Sequence, residues 1–151
     1  MTAGRTDTAA GSSTTASPRP PVLTEPDLGR LRDGEADELA AGALVEDLEL
    51  VDGALSGGNL SAISLLSCRF SEVFANDTDL AAARLVDCRL ERLSTTYLHS
   101  PRSTWRTVEL VDSRIGAWEL YDADVESGLI EGCRRGFATL AGTAVRDVLI
   151  R

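Results

Sequence analysis

From Val45 onward the large apolar residues recur at every fifth position, a spacing that neither an α-helix nor a flat strand produces. The set 45, 50, 55 and onward to 150 has 22 members, of which 18 are large and apolar; the exceptions are Ala75, Thr95, Ser100 and Arg135. A second set, two residues earlier and running from Ala43 to Val148, holds only small or apolar residues. Of the 28 charged residues between Val45 and Arg151, only Arg135 falls in either set. On a helix, residues five apart would spiral around the whole surface. In a flat strand an odd spacing alternates between faces. Two inward positions spaced by two suit a very short strand, and a chain that turns inward every five residues brings each next pair to the same axis. Four such sides close a square coil, and coils stacked ~4.8 Å apart form an all-β solenoid.

Single units carry the pattern openly in Cys68-Arg69-Phe70-Ser71-Glu72, Thr78-Asp79-Leu80-Ala81-Ala82, Cys88-Arg89-Leu90-Glu91-Arg92 and Ala123-Asp124-Val125-Glu126-Ser127. These resemble the units of the pentapeptide-repeat family: a small residue, a polar one, Leu or Phe, then two mostly polar positions. The resemblance covers 45–151 without a phase break. It implies a right-handed quadrilateral β-helix of about five coils, often capped by a helix and sometimes dimeric. It also implies a class of partner, because some members resemble duplex DNA in shape and charge, bind type II topoisomerases such as DNA gyrase, and protect them from quinolone drugs.

Two other segments precede the repeats. Residues 1–21 are Ser, Thr, Ala, Gly and Pro with almost no apolar side chains, a composition expected to be disordered. Residues 22–44 open with Thr24, Pro26 and Asp27, which resembles a helix start, and continue with short helical spacings interrupted by Gly29 and Gly34. One or two short helices capping the coil are the expectation there.

Charge narrows the partners. The chain carries 24 acids against 15 basic residues, all of them Arg, for a net −9; a nucleic-acid binder needs a basic surface. No apolar run approaches the ~18 residues of a membrane span. Three Cys are too few for a disulfide framework and point to a reducing, cytoplasmic setting. Cys68 and Cys88 stack on neighbouring coils and Cys133 lies on an adjacent face, all in the small inward set. No CxxC spacing accompanies them, so they are expected to be buried small hydrophobes rather than a metal site. No cofactor is called for.

Residues 20 apart in sequence lie above one another, which places candidate features. Around 93–103, Thr95 and Ser100 take large-residue positions while Leu93 and Leu98 fill the small set, so volume is expected to be exchanged. Pro101 is expected to distort that coil or make a bulge. For Arg135, a slip is expected that swings its guanidinium out and brings Phe137 towards the core. His99 has Asp79 and Glu119 one coil either side, but Ser100 points inward and diverges from it, so a surface histidine is expected rather than a catalytic triad. No catalytic residue is assigned.

Two surfaces remain. Asp52, Glu72, Glu91, Asp112 and Glu131 put one carboxylate per coil on one edge, the only feature that supports a DNA-like role. Over the ~20 Å that these five acids span, duplex DNA, at one charge per ~1.7 Å, would show roughly twelve, and the repeat region's 11 Arg against 17 acids leave it at only −6. At the C-terminal end, Val145, Val148 and Ile150 are expected to mediate self-association into a homodimer. A non-catalytic protein-interaction or scaffold module is the leading expectation, with a DNA-mimicking modulator of gyrase as the alternative.

Overall fold

The computed structural model describes residues 20, 21 and 23–151. The disorder expected of 1–21 falls almost entirely outside them. The chain winds as a parallel β-solenoid of about six turns. Rungs repeat every 20 residues: Leu50 pairs with Phe70, Phe70 with Leu90, Leu90 with Leu110, Leu110 with Ile130, and Ile130 with Ile150. A nine-stranded sheet forms two adjoining walls, including Arg84–Glu91, Thr104–Val111, Asp124–Glu131 and Ala144–Ile150. A four-stranded sheet of Thr78–Asp79, Ser94–His99, Arg114–Glu119 and Arg134–Thr139 closes the opposite side. Both inward sets are buried through the middle of the rod, with Leu48, Ile63, Leu85, Leu98 and Ile115 almost wholly inaccessible.

The corners explain why the period is five. Fifteen non-glycine residues have positive φ, among them Asp47, Asp52, Glu72, Asp87, Arg92, Asp112 and Asp122. All of them occupy the last place of a unit, where the left-handed conformation redirects the chain. This region costs most L-residues ~1–2 kcal/mol, and Asp and Asn tolerate it best. Seven of the 15 are Asp, so much of the acidity along the edges follows from corner geometry.

The expected helical cap is reduced to one 3₁₀ turn, Ala36–Glu38, fixed by reciprocal bonds between Glu35 and Glu38. Ahead of it, Arg32–Asp33 pairs with Leu48–Glu49 as a further strand of the sheet. The interval between Gly29 and Gly34 is too short to hold a stable helix, and a strand satisfies the first coil's exposed edge. Gly34 is required, because a Cβ there would lie 2.3 Å from Leu48 Cδ1.

The 93–103 coil keeps its volume by the expected exchange: Leu93, Thr95, Leu98 and Ser100 are all buried. No bulge forms. Ser100 N donates to Glu119 O at 2.8 Å and Ala82 N to Pro101 O at 2.8 Å, so the ladder runs through. Pro101 stacks on Ala81, whose N–H goes to the Asp79 side chain rather than the ladder. Proline therefore removes no rung bond here.

No slip occurs at Arg135 either. It pairs in register with Ile115, and Phe137 pairs with Ala117 and stays outward, 67% exposed. Arg135 belongs to the outermost described rung of its wall and is itself exposed. It borders an open depression of about 90 Å³ with Trp118, Leu120, Val145 and Ile150. Burial of an unpaired cation, the cost that motivated a slip, does not arise.

Candidate functional site

Along the rod axis the core is filled. Beside Ala75 and Thr78 only a void of about 30 Å³ remains, room for about one water. No helix of the described residues is long and apolar enough to cross a membrane. Among them, no three His, Cys, Asp or Glu gather as metal ligands. Cys68 and Cys88 are buried one rung apart, and their thiols donate to backbone carbonyls, Cys68 to Leu66 O at 3.5 Å and Cys88 to Leu65 O at 3.4 Å. The Cys88 thiol is held well above its ordinary range by its hydrogen bond to Cys68 and by burial. Cys133 is half-buried and bonds Leu110 O at 3.4 Å. These contacts suit packed thiols.

The acidic edge divides into two columns. Asp52, Glu72 and Asp112 share a left-handed corner, and the same column holds Arg92 between Glu72 and Asp112, and Gly132 after them. Glu91 and Glu131 stand one place earlier, in register with Val51, Ser71 and Val111. Three of the five acids are neutralised. Glu91 takes Arg69 at 2.7 Å and Arg89 at 3.0 Å; Glu131 takes Arg151 at 2.7 Å; Glu72 faces Arg92 at 3.8 Å. Partial burial pushes the Glu91 carboxyl up, but Arg69 and Arg89 overcome this and leave it below its ordinary value. Among the described residues, no ion pair holds Asp52 or Asp112.

His99 is set out from the wall, as expected, and is half-exposed between Asp79 and Glu119 in its column. Its Nδ1–H donates to Glu119 Oε1 at 2.7 Å, and the Tyr97 hydroxyl donates to the same carboxylate. The Tyr97 and His99 rings stack with centroids 6.1 Å apart. Ser100 turns the other way, accepting from Trp118 Nε1 at 2.8 Å inside the core. The Ser100 hydroxyl therefore does not reach the imidazole. The hydrogen bond to Glu119 pushes the Tyr97 phenol up to about 12 from an ordinary 10.0, and the bonds from Tyr97 and His99 hold Glu119 down. Because the folded state favours the protonated phenol, this stabilisation is present below pH 10 and is lost as pH rises towards 12. Phenolate absorbance should show Tyr97 ionising near pH 12 in the native protein, with Tyr97→Phe identifying its share and Glu119→Gln returning it towards the ordinary value.

Val145 and Ile150 are 50% and 53% exposed, and with Val148 they line the depression that Arg135 borders.

No family model matches the chain, and no curated protein matches it. Solved structures do. A trypsin-treated form of QnrB1, a plasmid-mediated fluoroquinolone resistance protein, matches at 11% identity over 74% of this chain and 85% of that one, with a TM-score of 0.28. Full-length QnrB1 matches at 12% identity over 79% and 89% of the two chains, with a TM-score of 0.19.

Proposed function

We propose that the chain is a pentapeptide-repeat protein acting as a non-catalytic interaction module, a rigid rod that presents side chains at ~4.8 Å intervals. The observation that carries this reading is the filled core. The square coil packed from Leu48 to Ile115 holds voids of only about 30 Å³, while every wall displays an ordered array of outward residues.

The alternative, modulation of gyrase by DNA mimicry, draws on the family resemblance and the acidic edge. It calls for a dense line of free carboxylates. Arg69, Arg89, Arg92 and Arg151 instead occupy or neutralise much of that edge, and the corner acids have a conformational cause in their positive φ. A gyrase supercoiling assay separates the readings. Protein at micromolar concentration is expected to leave supercoiling and its quinolone sensitivity unchanged. Inhibition, or protection from the drug, would restore mimicry.

A further inference from the structure

Many outward arginines of this solenoid meet an acid on the same or a neighbouring rung. Arg69 lies 3.9 Å from Glu49, Arg89 meets Glu109, Arg106 lies 3.5 Å from Glu126, and Arg146 lies 3.2 Å from the same Glu126. Where two arginines oppose each other, Arg69 and Arg89, Glu91 bridges them. A second opposed pair of arginines lacks such a bridge. Arg114 and Arg134 oppose each other in register, both are exposed, and neither has an ion pair among the described residues. Like charges directly opposite each other across a rung are destabilising, so the fold gains nothing from them.

Their surroundings are equally particular. Two residues along each strand stand Gly116 and Gly136, where a Cβ would lie 2.5 Å from Thr96 O and 2.0 Å from Gly116 O. The wall is bare backbone there. Beyond it stands Phe137, 67% exposed. No acid occupies the outward positions of Arg114–Glu119 before Glu119 itself, or any position of Arg134–Thr139.

We propose that this wall docks an acidic, extended segment of another protein, its carboxylates on Arg114 and Arg134 and an apolar side chain on Phe137, with the glycine strip admitting its backbone. This deepens the interaction-module reading and rests on it. Charge complementarity selects the occupant. A nucleic acid would offer many phosphates to two cations on a body of net −9. A second copy would bring two such bodies together.

The test uses the full chain and a fluorescein-labelled peptide of Glu residues with interspersed Phe, followed by anisotropy at low salt. A peptide with Gln for Glu and a labelled oligothymidine serve as alternatives. The wild type is expected to bind the acidic peptide, and the Arg114→Ser/Arg134→Ser variant at least ~10-fold more weakly, the equivalent of 1.4 kcal/mol. Its thermal midpoint should be equal or higher, since repulsion is relieved, which separates lost binding from lost folding. Arg84→Ser/Arg102→Ser, on other walls, should bind as wild type does. Equal affinity of the wild type and the Arg114/Arg134 variant would overturn this surface while leaving the module reading intact. So would absence of peptide binding, preference for the oligothymidine, or a dimer that the variant abolishes. Failure of the module reading itself would appear separately, as an effect on gyrase.

Discussion

Ile115→Arg is expected to leave the chain unfolded in buffer, whereas the native Arg135, one rung away in the same column, is accommodated. Ile115 is 1% exposed and sits between Thr95 and Arg135 in the ladder. Removing a buried Ile side chain costs ~2–5 kcal/mol, and an unpaired guanidinium in its place adds several kcal/mol more. No acid belongs to either inward set, so nothing there could neutralise it. The sum is comparable with the whole ~5–15 kcal/mol of a typical domain. Arg135 escapes because its rung opens on the depression of about 90 Å³ and its head reaches solvent. Arg135→Ile is therefore expected to be neutral or stabilising. Far-UV circular dichroism with urea titration checks both, and a folded Ile115→Arg protein would contradict the inward assignment of the column.

Trp118→Ala is expected to destabilise by ~3–5 kcal/mol, the range for an aromatic cut out of a core. The side chain does two things. Its ring meets Trp105 edge-on with centroids 5.4 Å apart, and its Nε1–H donates to Ser100 Oγ, which passes a hydrogen bond on to Glu119 O at 2.9 Å. Trp105 is held likewise, its Nε1–H on Ser103 Oγ at 2.7 Å and Ser103 on Ser100 O at 2.6 Å. Ser100→Ala leaves one buried indole N–H unpaired, worth ~1–3 kcal/mol. The double variant should lose less than the sum of the two, because both remove the same bond. Urea midpoints of the three proteins measure this; strict additivity would mean that the bond carries no energy.

The phase of the solenoid was legible because a period-five core forbids charge at two positions in every unit, and the chain obeys that everywhere except Arg135. Burial at the outermost rung was not legible, since register says which way a side chain points and not what covers it. The Ser100 position looked like a volume defect, and Leu98 does compensate it. The reason for a serine, however, is an indole N–H arriving from Trp118, one rung away in the small set, and polarity patterns do not encode that reach. The acidic edge was misplaced by one residue at Glu91 and at Glu131 because polarity does not separate the last strand residue from the left-handed corner after it. Aligning the columns strictly by 20 shows Arg92 at that corner and Arg114 over Arg134, so the like-charge pair was present in the spacing. The 22–44 segment offered real helix signals, yet Arg32–Asp33 joined the sheet, because satisfying an edge outweighs a weak local propensity.

The most direct measurement on the account as a whole compares two deletions followed by tryptophan emission and cooperative unfolding. Removing residues 64–83 takes out one entire coil, spares Trp105 and Trp118, and keeps every later residue in its register. Removing residues 64–80 takes out less chain but places Asp87, Arg92, Arg102, Asp112 and Asp122 in the large inward set. The first variant is expected to remain β-structured, with buried tryptophan emission and a single unfolding transition. The second is expected to be unfolded, with emission shifted to that of exposed indole. If the shorter deletion folds as well as the whole-coil deletion, or if the whole-coil deletion also collapses, the chain is not held by stacked five-residue sides.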